Sequence, residues 1–301
     1  MSQLYSVSTA TRKTYIWAVP VLVIVFTFGG QILALLPAKY LNLITKENFE
    51  TYPHILYLII GSFTVVALIF ALWIKLFEKE NFASVGLVTS ANPVKNYLFG
   101  MLTASLMAGV IVLAITLLKG YVEENAVNLE LIDLIPVFIL LLAFIIQAGT
   151  EEFVFRGWMM SRIAGRYGIT AGIVGNSAIF ALMHFDSDGF QTVSIGYTLM
   201  LTASAFAFAV FLSLLAIKEK SIWGACAWHT VWNWSFITWF GLPTTGLDLG
   251  IVPLVTDLTP VDGVSIWLTG AEHGPEGSIL TLGVLLVASI WLIYKLKKSR
   301  S

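Results

Sequence analysis

The sequence is poor in charge. Of its 301 residues only 12% are Asp, Glu, Lys or Arg, about half of the ~25% usual in a soluble domain. It has one cysteine, Cys226, which excludes an intrachain disulfide and a cysteine-rich structural zinc site. It has no excess of either sign, with a formal net charge of −1. That balance argues against a nucleic-acid partner. Low-complexity tracts and fixed-period repeats are also missing. What is present is apolar: 57% of residues are hydrophobic and the mean hydropathy is +0.85. A soluble protein of this size has too little interior to hide so much apolar surface. A disordered chain, a disulfide scaffold and an ordinary cytosolic enzyme are therefore excluded, and the solvent of most of the chain is lipid.

A helix needs ~20 mostly apolar residues to cross a hydrocarbon core ~30 Å thick. Eight stretches qualify as candidates, at about 14–36, 55–77, 97–118, 134–155, 169–185, 191–217, 221–240 and 278–296. The first follows Arg12 and Lys13 but is too long for a signal peptide's apolar region, so it reads as a retained span. The fifth is short and carries Asn176 and His184, which predicts shelter by neighbouring helices. With the loops taken alternately, fourteen of the 17 Lys and Arg fall on one side, together with both termini. Only Lys39, Lys46 and Lys119 fall on the other. The positive-inside rule makes the first side cytoplasmic. Arg162 and Arg166 suit a hairpin tip that protrudes there. The longest loop, 241–277, has no Lys or Arg, and its apolar runs predict packing on the outer membrane face. The expectation is an all-α polytopic membrane protein of about eight transmembrane helices. It is read as a single integral membrane domain over 1–301, in a cell membrane that is expected to be bacterial.

Ionisable groups inside a membrane are costly and mark functional sites by default. Three clusters qualify: Glu151-Glu152-Phe153-Val154-Phe155-Arg156, Phe180 to His184, and His229 to Asn233. Residues i and i+4 share a helix face. Glu152 and Arg156 therefore stack as a neutralising pair with a structural role. Glu151 has Val154 and Phe155 at i+3 and i+4, so it is a carboxylate aimed elsewhere. His229 and Asn233 point one way. A turn near Tyr167-Gly168 would place Glu151 and His184 at matching heights on a hairpin. Cys226, one turn before His229, reads as an apolar filler rather than a nucleophile. The tryptophans of the seventh stretch read as belt or packing residues.

A carboxylate with nearby imidazoles and an amide, shielded from lipid, suits water activation. Glu151 would act as general base, and a His or Asn donor would stabilise an oxyanion. Neither a Ser–His–Asp order nor HExxH is present. Two His and one Glu also make a zinc ligand set, so the activating agent stays open between Glu and a metal.

The three clusters, read as Glu151-Glu152-x-x-x-Arg156, Phe180-x-x-x-His184 and His229-x-x-x-Asn233, resemble the motifs of the CPBP family. This is the CAAX prenyl protease 2 and bacteriocin-processing group of intramembrane proteases, also called the ABI family. The similarity covers about 134–240, the CPBP-like catalytic core. It implies an intramembrane endopeptidase cutting membrane-anchored, often prenylated, proteins or peptides within the lipid bilayer. It implies Glu151 as the water-activating base, with His184, His229 and Asn233 completing the catalytic set. Glu152 and Arg156, with Phe180, are implied as structural support. No cofactor is required by this reading. Zinc is left open, with Glu151, His184 and His229 as its ligands if present. Two other classes compete. A non-catalytic bacteriocin-immunity or scaffold protein would keep its effect without these residues. A proton-coupled transporter would show paired broken helices, and no matching Gly/Pro-interrupted spans are visible.

Overall fold

The computed structural model describes residues 4–5, 12–45, 48, 51–185 and 194–299. Among these, eight long helices follow one another: α1 Ala18–Tyr40, α2 His54–Glu78, α3 Pro93–Leu117, α4 Leu131–Tyr167, α5 Ile169–Met183, α6 Ile195–Glu219, α7 Trp223–Phe240 and α8 Ile279–Lys298. The protein is all-α and polytopic. Six helices of the described residues are long and apolar enough to cross a membrane. The other two are α5, with 15 residues, and α7, which carries His229 and Asn233. The predicted sixth stretch begins at 191, and residues 191–193 lie outside the described residues. α4 is longer than expected. It runs for 37 residues, ~55 Å at 1.5 Å per residue, well beyond a hydrocarbon core.

Local chemistry sets the ends of these helices. α2 stops where Lys79 turns left-handed, with φ of 56°. Asn81 then caps a short 3₁₀ turn, Phe82–Val85, by accepting from the Ala83 amide. α4 stops at Gly168, whose φ of 90° suits a residue without a Cβ, and α5 starts at the next residue. The turn expected at Tyr167-Gly168 is therefore present, and it is a single residue long.

The chain divides into two compact units, each built from separated stretches. The first comprises 1–100, 142–176 and 212–230. A buried carboxylate, Glu78, organises part of it. Arg162 reaches Glu78 with Nη2 at 2.6 Å and Nε at 3.2 Å, Thr14 donates at 2.7 Å, and Trp158 Nε1 donates at 3.2 Å. Glu78 is 1% exposed and the Arg162 side chain 17%. Arg162, expected at a protruding hairpin tip, is thus an ion-pair partner of α2. Of the two arginines, Arg166 is the exposed one. A lysine cannot reproduce the two-pronged guanidinium contact. Arg162→Lys is expected to cost about 1–3 kcal/mol through lost charged hydrogen bonds, read as a lower melting temperature in detergent.

The second unit comprises 101–141, 177–211 and 231–301. It contains a small antiparallel ribbon, β1 Tyr121–Asn125 with β2 Asp257–Pro260, which the all-helical reading did not include. The long loop is tied down by side chains. The Tyr121 hydroxyl donates to the Thr269 carbonyl and the Tyr197 hydroxyl to the Gly270 carbonyl. Burial raises the Tyr121 hydroxyl's pKa, with Tyr197 adding to it, so it remains a donor. Glu276 accepts from Trp232 Nε1 at 2.6 Å and from the Thr245 amide and hydroxyl at 2.8 and 2.9 Å.

Candidate active site

The motif glutamates stand where α4 changes character. Glu151 and Glu152 are the last residues of its first α-helical stretch, Phe153–Met159 continues as a π-helix, and Met160–Tyr167 is α-helical again. Wide turns of this kind are rare and concentrate at functional sites. All seven residues of the turn are buried. Gly157 within it has a steric reason: a Cβ there would stand 2.6 Å from the Val85 carbonyl oxygen. The turn therefore lies against the 82–85 segment more closely than a side chain permits.

In the first unit, a chain of polar contacts links four motif residues. Arg156 Nη1 lies 2.9 Å from Glu152 Oε1, and both side chains are 0% exposed. The i,i+4 pairing expected from the sequence is present. The same Oε1 lies 2.9 Å from His229 Nδ1. A carboxylate paired with a guanidinium only accepts, so Nδ1 carries the imidazole proton. On a neutral ring, Nε2 then presents its lone pair. That Nε2 faces Glu151, 3.7 Å from Oε2. Oε2 is buried and has no hydrogen-bond partner among the described residues. The other oxygen of Glu151, Oε1, accepts from Gln147 Nε2 at 2.8 Å. The Tyr5 hydroxyl donates to the Arg156 carbonyl at 2.8 Å. Burial, with Glu152 nearby, raises the Tyr5 hydroxyl's pKa and keeps it a donor. Cys226 is buried and free, as suits a small apolar filler.

The remaining motif residues belong to the second unit. His184 lies just past the end of α5, with an exposed side chain. Its ring stacks on Phe180, centroids 4.1 Å apart. Its Nδ1 stands 2.9 Å from the Phe180 carbonyl. A carbonyl only accepts, so Nδ1 is the donor and Nε2 points its lone pair outward. Phe180 stacks in turn on Phe208, which leans on Trp232. Asn233 is buried on α7, 5% exposed. Its neighbours fix that helix, Trp232 through Glu276 and Trp234 through the Val137 carbonyl at 2.9 Å. Trp228 and Trp232 are buried packing residues.

Glu151 and His229 offer two facing ligand atoms, whereas a catalytic zinc takes three protein ligands. Glu152, the other carboxylate near His229, is already engaged by Arg156 and by the imidazole. Among the described residues, no group of three or more His, Cys, Asp or Glu is placed to hold a metal ion.

Residues 133–235 match the family model of type II CAAX prenyl endopeptidases, Rce1-like. That stretch of the chain is similar to an Rce1-like domain. No curated protein matches the chain. The match spans every motif residue, from Glu151 to Asn233, and supports the resemblance to the CPBP group. With six helices long and apolar enough to cross a membrane among the described residues, the protein is an integral membrane protein, and residues 133–235 are similar to a protease family. Two residues in contact with the motif residues carry no mark in the motifs, Gln147 on Glu151 and Tyr5 on Arg156. Gln147 is i−4 from Glu151, so the spacing rule that pairs Glu152 with Arg156 also finds it.

Proposed function

We propose that the protein is an intramembrane endopeptidase that hydrolyses a peptide bond in membrane-anchored, prenylated proteins or peptides, with Glu151 activating the water. The observation that carries this reading is the facing pair of acceptors, Glu151 Oε2 and His229 Nε2, 3.7 Å apart. A water oxygen ~2.8 Å from each directs its two hydrogens at them and its lone pair at a scissile carbonyl. Glu151 takes a proton as the oxygen attacks, and later returns it to the leaving amine. The Glu152–Arg156 pair holds His229 in the tautomer that leaves Nε2 as acceptor. Asn233, an amide with an N–H to give, receives the oxyanion role on its motif position, and His184, whose Nε2 is an acceptor, belongs to the catalytic set on its motif position. The prenyl preference rests on the family match. The lysine and arginine distribution supports cytoplasmic termini.

The test uses purified protein in lipid vesicles with a fluorescent peptide carrying a farnesylated C-terminal motif. Release of the C-terminal fragment is followed by mass spectrometry. The expected result is cleavage of the farnesylated peptide that persists in a strong chelator. Failure to cleave any lipidated peptide would overturn the reading. Activity abolished by chelator and restored by zinc would overturn the metal-free step.

A further inference from the structure

A glutamate acting as base needs one oxygen held and the other left for water. Glutamate's terminal torsion is broad and nearly two-fold, so nothing in the side chain itself fixes which oxygen faces His229. The structure supplies the missing constraint one turn earlier. Gln147 Nε2 donates to Glu151 Oε1 at 2.8 Å. A carboxylate only accepts, so the amide must present its NH₂ and not its oxygen. Both residues lie in the α-helical part of α4, before the π turn begins. Their relative position is therefore set by ordinary i,i+4 geometry. With Oε1 held, Oε2 is the oxygen left facing His229 Nε2.

We propose that Gln147 is a positioning residue for hydrolysis: its amide fixes the plane of the Glu151 carboxylate, directing Oε2 at the water. The inference rests on Glu151 being the base. Gln147 does not touch the substrate in this assignment, so its loss acts on turnover and not on binding. Gln147→Met keeps length and helix propensity while removing the donor. Gln147→Glu keeps the shape and replaces a donor with an acceptor beside the carboxylate.

The experiment measures kcat and KM on the farnesylated peptide for the wild type, both Gln147 variants and Glu151→Gln, with melting temperatures recorded in parallel. Both Gln147 variants are expected to lose about 10- to 100-fold in kcat, the scale of a misaligned reacting group. KM is expected to stay within about twofold, with the melting temperature unchanged. If both Gln147 variants turn over like the wild type while Glu151→Gln is inactive, the positioning role is overturned and the base assignment stands. A loss confined to KM, or one that tracks a fall in melting temperature, also overturns it. An active Glu151→Gln overturns the base assignment and this inference with it.

Discussion

Glu151→Gln is expected to slow cleavage by orders of magnitude while leaving the fold intact. The substitution preserves shape and keeps an oxygen available to accept from Gln147 Nε2, the 2.8 Å contact of the native residue. It turns the other end into an NH₂ facing His229 Nε2, where the native oxygen stands 3.7 Å away. The site then holds a donor where it needs a base. General-base catalysis contributes about 10²- to 10⁴-fold, so kcat is expected to fall by that factor. Glu151→Asp retains the base but draws it back by a methylene. Misplacement on the ~1 Å scale costs about 10²-fold, so this variant is expected to keep weak activity. Initial rates on the farnesylated peptide, with melting temperatures as the folding control, decide the matter. Wild-type turnover by Glu151→Gln would remove Glu151 from the chemistry.

The second large effect concerns the buried pair. Arg156→Met leaves Glu152 as a fully buried carboxylate with its guanidinium removed. Breaking such a pair from one side costs about 3–5 kcal/mol, so the single variant is expected to melt well below the wild type. Replacing both partners, Glu152→Met with Arg156→Met, removes the two charges together. Apolar replacement of a whole buried pair is often neutral or better, so the double variant is expected to recover much of the lost stability. It is not expected to recover activity. His229 Nδ1 donates to Glu152, and without that acceptor the imidazole loses the contact that fixes its tautomer. Stability and turnover should therefore separate in the double variant. A double variant with wild-type kcat would show that Glu152 has no part in orienting His229.

Contacts within one helix were the legible part of this site. Glu152 and Arg156 announced their pairing through four-residue spacing and opposite charge. Gln147 sits at the same spacing from Glu151 but carries no charge, so its contact leaves a fainter mark. The Glu152–His229 contact joins residues 77 apart, and only the folded chain brings them together. Glu78 was hidden for another reason. It lies between Lys75 and Lys79 at the end of a span, where a carboxylate reads as solvated. The π turn of Phe153–Met159 had no periodic signal, because one wide turn is too short to shift an apolar pattern. The ribbon was missed because its strands have five and four residues and lie far apart in the chain.

The Glu78 contacts also impose an order on biosynthesis. Arg162 follows Glu78 by 84 residues, so α2 is made and delivered to the bilayer well before its ion-pair partner exists. A lone carboxylate is costly at membrane depth, and it must keep its water until α4 arrives. Its place as the last residue of α2 permits that wait. The ion pair at the end of α2 can therefore form only after α4 has been made, whereas Thr14, made earlier than either, is already there to donate to Glu78. The first two helices are in this sense finished from behind, by a segment translated after them.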